Sequence, residues 1–128
     1  MSDIDELSTL VRTFSDAREW GEFQSPKNLA MALAGEVGEL LAELQWVRDS
    51  EAGEQLEQDA ELRTKVEDEV ADVFIYLLRF ADVTGIDLIE AAKSKIGRNE
   101  LRYPVIKSRG RSTKYTNLSL DAPDVIED

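Results

Sequence analysis

The chain contains neither cysteine nor histidine among its 128 residues. These absences exclude disulfide bonds, zinc sites built from thiolate and imidazole ligands, cysteine nucleophiles, and every catalytic triad that needs an imidazole base. They also exclude the Glu-x-x-His metal sites of di-iron helical bundles. An enzyme of this composition therefore depends on carboxylates and a metal ion for most of its chemistry.

Long apolar segments are also missing. No run approaches the roughly 18–20 apolar residues that a membrane-spanning helix needs. The acidic beginning, MSDIDELSTL, does not resemble a signal peptide. Hydrophobic residues make up 42% of the chain, which is typical of a globular protein rather than a disordered one. We expect a cytoplasmic protein without a membrane partner.

Positive charge is scarce and unevenly distributed. The chain has 27 acidic and 15 basic side chains and a net charge of −12, a balance that argues against binding to a nucleic-acid polymer. Eight of the basic residues lie between Lys93 and Lys114, where Glu100 is the one acidic residue. The net charge of the whole chain therefore hides a strong segregation of charge along the sequence.

The fold class predicted from the apolar pattern is all-α, because apolar residues recur at helical spacing and no segment alternates like a strand. The pattern predicts helices over residues 3–20, 26–47, 60–83 and 88–101. Ser25-Pro26 and Asp87 are helix-start signals, and Gly85 is a helix-end signal. Residues 48–59 are predicted to form an exposed loop. We expect one domain over residues 1–117, with a basic extension from about 105 and an acidic, disordered tail over 118–128.

Two of the predicted helices carry acidic pairs beside their apolar faces. At about 100° per residue, Glu36 shares an arc with Glu39, and Glu69 shares one with Asp72. Like charges at this spacing repel mildly in water and far more strongly when desolvated. A divalent cation removes that conflict, and ligands that offer only oxygen favour Mg²⁺, with Mn²⁺ or Ca²⁺ as substitutes. A solvated acidic face is the alternative interpretation.

Further motifs accompany the acidic pairs in a fixed order. Glu36-Val-Gly-Glu39 is followed by Glu69-Val-Ala-Asp72, and the flanking elements are Arg18-Glu-Trp20, Pro26-Lys-Asn-Leu29, Gln45-Trp46, Tyr76, Lys95 with Asn99, Arg102-Tyr103-Pro104 and Lys114-Tyr115-Thr116. Over residues 7–118 the chain resembles the MazG-like, all-α nucleoside triphosphate pyrophosphohydrolases. It is most similar to their small dCTP pyrophosphatase branch.

The resemblance implies both an assembly and a reaction. The fold would be an antiparallel bundle of about four helices, completed by oligomerisation into a homodimer or homotetramer. Members cleave a (deoxy)nucleoside triphosphate between the α and β phosphates with Mg²⁺, or Mn²⁺ as a substitute, and release the monophosphate and pyrophosphate. Carried over to this chain, the implied metal ligands are Glu36, Glu39, Glu69 and Asp72. The implied base and sugar contacts are Trp20, Trp46 and Tyr76, and the implied triphosphate contacts are Lys95, Asn99, Arg102 and Tyr103.

The catalytic roles and the base preference are less constrained. Glu36 and Glu39 are the candidate catalytic residues, and Glu39 is a candidate for orienting or deprotonating the attacking water. The chain has Val11 and Gln24 where the dCTP branch carries histidines, so its substrate is open between dCTP, a modified relative, dUTP and dUDP. A non-catalytic module whose acidic helices dock a partner or regulate another protein is the alternative outside enzyme chemistry.

Overall fold

The computed structural model describes residues 1–118, and the regular elements within that range are all helical. The predicted all-α class is confirmed. The six α-helices and two short 3₁₀ turns follow in the order α1 (Asp3–Ala17), a turn (Gly21–Phe23), α2 (Pro26–Leu44), α3 (Asp49–Gln58), α4 (Ala60–Thr84), α5 (Leu88–Arg102), α6 (Val105–Ser108) and a second turn (Tyr115–Asn117). The predicted disordered tail lies outside the described residues, apart from Leu118.

The helix boundaries follow the capping signals in the sequence. The Ser25 hydroxyl accepts a hydrogen bond from the Asn28 amide at 3.2 Å, so it caps α2 ahead of the proline at its first position. Asp87 caps α5 in the same way, accepting from the Glu90 amide at 3.0 Å. Gly85 ends α4 with a φ of 69°, the left-handed conformation that glycine adopts at little cost.

The prediction of an exposed loop over residues 48–59 is wrong, because α3 occupies most of that segment. Two of its glutamines reach one turn back, and Gln55 donates to the Glu51 carboxylate at 3.3 Å. Ala52 and Leu56 are half-buried, and α3 packs on α4. With so few apolar residues, the segment shows no clear helical period. Packing against α4 stabilises the helix, although the sequence pattern alone does not predict it.

Helix α4 is the centre of the N-terminal packing, since α1, α2 and α3 all contact it. The contact with α2 is the most extensive. Leu29 of α2 and Leu78 of α4 are each 1% exposed, and Ala81 is buried beside them. These side chains form a small core on the facing sides of the two helices.

Many apolar side chains of α2 and α4 are left uncovered. Met31, Val37 and Leu41 are exposed on α2, with Leu41 65% accessible, and Val70 and Phe74 are exposed on α4. Among residues 1–118, none of the helices combines the length and the apolar character that crossing a bilayer requires.

The contacts divide the chain into two compact units, one over Met1–Ile86 and the other from Asp87 onward. The first contains α1 to α4. The second contains α5, α6 and the second 3₁₀ turn. The single domain expected over residues 1–117 stays a prediction.

Candidate functional site

Three of the predicted carboxylates come together between α2 and α4. One oxygen each from Glu36, Glu69 and Asp72 lies within 4.8 Å of the others. Oxygens on opposite sides of a Mg²⁺ ion lie about 4.2 Å apart, since each is about 2.1 Å from the ion. Small side-chain movements are therefore enough to bring these three onto one cation. The spacing therefore supports a candidate metal site.

The electrostatics of the cluster match its geometry. Partial desolvation, followed by the charge of Asp72 and then that of Glu39, raises the pKa of the Glu36 carboxyl. Desolvation is likewise the largest cause that raises the pKa of Glu69, and the charge of Asp72 comes next. Both effects disfavour the ionised forms, so the cluster is a site where an added positive charge is strongly favourable.

Glu39 lies near the cluster but outside the group of three. Its side chain is exposed, whereas Glu36 and Glu69 are half-buried. Its charge still reaches both of them, because it contributes to their raised pKa values. The prediction that Glu39 is a fourth ligand, or the residue that orients water, stays a prediction.

A cavity of about 240 Å³ opens between the 3₁₀ turn, the start of α2 and the middle of α4. Trp20 and Tyr76, two of the predicted base and sugar contacts, both line it. Gln24, which the sequence linked to base preference, lines it too. The sequence did not single out the rest of the lining for this role: Phe23, Asn28, Leu29 and Ala32. Asn28 and Leu29 belong to the Pro26-Lys-Asn-Leu29 motif, which was the available signal.

The turn before α2 carries two of the three aromatic residues of the cavity, Trp20 and Phe23. Glu19 has a φ of 53°. Within residues 1–118 it is the one residue other than glycine with a positive φ. This left-handed turn allows the Trp20 amide to donate to the Ser15 carbonyl at 3.2 Å. The Asn28 side chain donates to the Phe23 carbonyl at 3.0 Å, so the 3₁₀ turn is tied to the first turn of α2.

The cavity and the carboxylate cluster are neighbours along the same two helices, α2 and α4. Ala32 lines the cavity one turn before Glu36 on α2, and Tyr76 lines it one turn after Asp72 on α4. One turn of four residues rises by about 6 Å. The order is opposite on the two helices, so α2 and α4 run antiparallel, as expected.

A polar network that the sequence did not predict lies beside the cavity. The Gln24 side-chain oxygen accepts from the Arg79 Nε at 2.8 Å and from the Ser15 hydroxyl. Arg79 also donates to Asp82 at 2.9 Å. Arg79 is buried, with its side chain 8% exposed. Of the two departures from the dCTP branch, Gln24 lines the cavity and Val11 does not.

Trp46 is not brought to this cavity. It follows the last residue of α2 and is 89% exposed. Its predicted contact with a base or sugar stays a prediction.

The four predicted triphosphate contacts lie at α5 and its end. Lys95, Asn99 and Arg102 are spaced by four and three residues, so they share one face of the helix. The Arg102 guanidinium lies 4.8 Å from the ring centre of Tyr115, and the Tyr103 ring meets the same tyrosine edge-on at 5.9 Å. These contacts order the basic segment within its own unit, and its role towards phosphate stays a prediction.

Comparison with known proteins gives consistent matches. A sequence model described as the MazG-like family matches residues 32–118. The chain is 43% identical over 115 residues to dCTP pyrophosphatase 1 of Rattus norvegicus and 40% identical to that of Homo sapiens, in each case over 90% of this chain and 67% of the relative. Its fold is similar to the crystal structure of a pyrophosphatase from Archaeoglobus fulgidus, with a TM-score of 0.75 and 44% identity over 81% of this chain and 94% of that one.

Proposed function

The chain belongs to the MazG-like family, and from that membership we propose that it is a nucleotide pyrophosphohydrolase. The proposed reaction cleaves the α–β phosphoanhydride of a (deoxy)nucleoside triphosphate with a divalent cation and releases the monophosphate and pyrophosphate. The observation that carries this proposal is the convergence of Glu36, Glu69 and Asp72 one helical turn from an aromatic-lined cavity. The relatives named dCTP pyrophosphatase and pyrophosphatase support the same reaction class.

The donor set fits a hard divalent cation. All three converging groups are carboxylates, which suit Mg²⁺ and Mn²⁺ and offer no soft ligand. A cation bound here supplies charge neutralisation at the phosphate oxygens and makes water more acidic. Mg²⁺ is the proposed cofactor because carboxylates and the phosphates of a substrate are its usual ligands in enzymes. Mn²⁺ is the proposed substitute.

The residues of the chain supply positioning and proton transfer. Trp20 and Tyr76 hold the base and sugar in the cavity. The phosphates of the nucleotide then extend towards the carboxylates, one helical turn away. A water oxygen bonds to phosphorus as the bridging P–O bond breaks and pyrophosphate leaves. Glu39 orients that water and takes its proton. The face formed by Lys95, Asn99 and Arg102, together with Tyr103, is the proposed counter-charge and hydrogen-bonding surface for the triphosphate.

The leading substrate is dCTP or a modified relative. Relatives at 40–43% identity are named for dCTP, and the cavity holds aromatic side chains on which a base stacks. Gln24 replaces a histidine of that branch at the cavity wall, so dUTP and dUDP are the substrates to test against dCTP.

The decisive experiment measures release of the nucleoside monophosphate from a panel of nucleotides that includes dCTP, 5-substituted dCTP, dUTP and dUDP. The second product is pyrophosphate from each triphosphate and orthophosphate from dUDP. We expect Mg²⁺-dependent release with the wild type and its loss in Glu36→Gln and Asp72→Asn. Glu57→Gln is the matched control, since Glu57 is an exposed carboxylate of α3. Turnover near that of the wild type in either site variant would contradict the assignment of the metal site.

Calorimetry separates the enzyme from a non-catalytic acidic interaction module. A docking module binds neither Mg²⁺ nor a triphosphate, whereas the proposed enzyme binds both. Saturable binding of Mg²⁺ that is lost in Glu36→Gln supports the enzyme. The absence of binding together with the absence of hydrolysis would favour the docking module.

A homodimer or homotetramer is part of the proposal. The exposed apolar side chains of α2 and α4, Met31, Val37, Leu41, Val70 and Phe74, support it, because association with another copy would remove apolar surface of this kind from water. Light scattering coupled to size-exclusion chromatography measures the mass, and 14.4 kDa in solution would contradict it. The cytoplasm remains the predicted location.

A further inference from the structure

The orientation of the Gln24 amide is fixed by the groups behind it. Its oxygen accepts hydrogen bonds from Arg79 Nε, at 2.8 Å, and from the Ser15 hydroxyl. Both donors are on buried residues, with Ser15 2% and Arg79 7% exposed. An arginine only donates, whereas a serine hydroxyl can donate or accept. Arg79 is therefore the group that decides which end of the amide faces inward.

Arg79 itself cannot turn away easily. Its Nη1 donates to Asp82 at 2.9 Å, and Asp82 is also held by Arg12 from α1 at 2.7 Å. A flipped Gln24 would bring its NH₂ group against the guanidinium and leave a buried donor of Arg79 unsatisfied. The assignment of the amide thus follows from the network and does not depend on distinguishing nitrogen from oxygen in the side chain.

The remaining polar end of Gln24 is a donor. Its Nε2 donates to no group within residues 1–118, and Gln24 lines the cavity. The neighbouring wall is mostly aromatic or aliphatic. The side-chain NH₂ of Asn28, the other amide of the wall, donates to the Phe23 carbonyl. The cavity therefore combines stacking surfaces with hydrogen-bond donors, and Gln24 is the donor whose orientation is set by the buried network of Ser15 and Arg79.

Gln24 also lies at the end of the cavity remote from the carboxylates. It precedes the first residue of α2 by two positions, whereas Glu36 is ten residues into that helix, a rise of about 15 Å. A nucleotide with its phosphates at the carboxylates directs the far edge of its base towards Gln24. For a pyrimidine that edge carries positions 3 and 4.

We infer that Gln24 is a specificity-determining residue that donates a hydrogen bond to an acceptor on the 3,4 edge of a pyrimidine and so sets the choice between cytosine and uracil. This inference rests on the proposed function, since it takes the ligand to be a nucleotide. Cytosine offers an acceptor at ring nitrogen 3 and a donor at its amino group, and uracil has the reverse arrangement. For a base held in one position, a fixed donor can bond only to the base that places an acceptor opposite it. The base that places a donor there binds much more weakly, because the two polar groups are left unmatched.

Gln24→Glu tests the inference with little risk to folding. The carboxylate keeps an acceptor for Ser15 and Arg79, while the end that faces the cavity changes from donor to acceptor. Ser15→Ala is the matched control because Arg79 still fixes the amide. The dissociation constants of dCMP and dUMP are measured by calorimetry without a divalent cation. Their ratio is the readout, because both carry the same phosphate and respond equally to the added negative charge.

We expect the dCMP/dUMP ratio to change by about tenfold or more in Gln24→Glu and by less than about twofold in Ser15→Ala. An unchanged ratio in Gln24→Glu, or no binding of either nucleotide to the wild type, would overturn the inference. Hydrolysis of triphosphates is assayed separately. If triphosphates are hydrolysed but the dCMP/dUMP ratio is unchanged in Gln24→Glu, the inference is wrong and the proposed function stands. If the ratio depends on Gln24 but no triphosphate is hydrolysed, the proposed function is wrong and the inference stands.

Discussion

Asp82 accepts both prongs of the Arg12 guanidinium, with Nε 2.9 Å from Oδ2 and Nη2 2.7 Å from Oδ1, although the two residues lie 70 positions apart. The same Oδ2 accepts from Arg79 at 2.9 Å. The Asp82 side chain is 17% exposed. This carboxylate joins α1 to α4 and also fixes the arginine behind the cavity.

The first prediction concerns the dependence of stability on pH. The hydrogen bond from Arg12, reinforced by the charges of Arg12 and Arg79, lowers the pKa of Asp82 in spite of its burial. A carboxyl with a lowered pKa in the folded state stabilises the fold above its unfolded value, about 3.9, and this contribution is lost as the pH falls through the folded value. We expect Asp82→Asn to lower the free energy of unfolding by about 2 kcal/mol at pH 7.

The measurement is urea unfolding followed by far-ultraviolet circular dichroism, at one protein concentration, from pH 7 to pH 2.5. The difference between wild type and Asp82→Asn should shrink as the pH falls below about 4, because the Asp82 carboxylate of the unfolded chain takes up its proton first and the folded one does so only at lower pH. Glu57→Gln, an exposed carboxylate of α3, should show no such difference. A difference of constant size over the whole range would contradict the role given to the charge of Asp82.

The second prediction reverses the usual effect of removing a site residue. Without metal, Glu36, Glu69 and Asp72 repel one another at close range. We therefore expect Glu36→Gln and Asp72→Asn to melt at or above the temperature of the wild type in EDTA. With Mg²⁺ the order should reverse, because a ligand at 100 times its dissociation constant stabilises the folded state by about 2.7 kcal/mol.

Differential scanning fluorimetry with and without Mg²⁺ measures both halves of this prediction. Glu57→Gln should retain the full rise in melting temperature that Mg²⁺ gives the wild type. A clearly lower melting temperature of Glu36→Gln in EDTA would mean that this carboxylate stabilises the metal-free fold, contrary to the repulsion argument.

The third prediction separates water activation from metal binding at Glu39. Because Glu39 is exposed and lies outside the group of three, we expect Glu39→Gln to keep much of the Mg²⁺-dependent rise in melting temperature. Its turnover should fall by about 100-fold or more, the usual contribution of a general base. Initial rates of pyrophosphate release give the second quantity. Loss of the Mg²⁺ response together with turnover would identify Glu39 as an essential ligand instead.

The proximity of Glu36, Glu69 and Asp72 could be expected from the sequence because their arrangement is largely local. Within a helix, the spacing of three residues between Glu69 and Asp72 fixes their common face, and the apolar stripe beside them indicates the side that meets another helix. Glu36 lies beside the apolar stripe of α2, which packs on α4, so it meets Glu69 and Asp72 across that interface. The fold class and most helix boundaries follow from equally local signals.

Features that depend on tertiary packing were not predictable in this way. The pairing of Arg12 with Asp82 leaves no trace in the sequence, since each helix carries several charges and nothing in their spacing selects the partner. Helix α3 was missed because its contacts with α4, rather than its own pattern, support it. Trp46 follows the last turn of α2, where helical spacing no longer determines the direction of a side chain.

The last prediction compares two exposed glycines whose backbones differ. A methyl group at either Gly85 or Gly53 would meet no atom within 4 Å, so packing contributes nothing to the comparison. Gly85 has a φ of 69° at the end of α4, whereas Gly53 lies within α3. Gly85→Ala should lower the free energy of unfolding by about 1 kcal/mol, because an L-residue is strained in the left-handed region. Gly53→Ala should raise it by about 0.5–1 kcal/mol through helix propensity and a less flexible unfolded chain.

Urea unfolding of both variants at one protein concentration measures the two effects. Opposite signs are expected, since the same added methyl group acts through backbone conformation in both cases. Destabilisation by Gly53→Ala would mean that α3 is not helical in solution at that position, which would reinstate the loop that the sequence predicted. A neutral Gly85→Ala would mean that α4 ends without the left-handed turn, and its connection to α5 would then follow a different path.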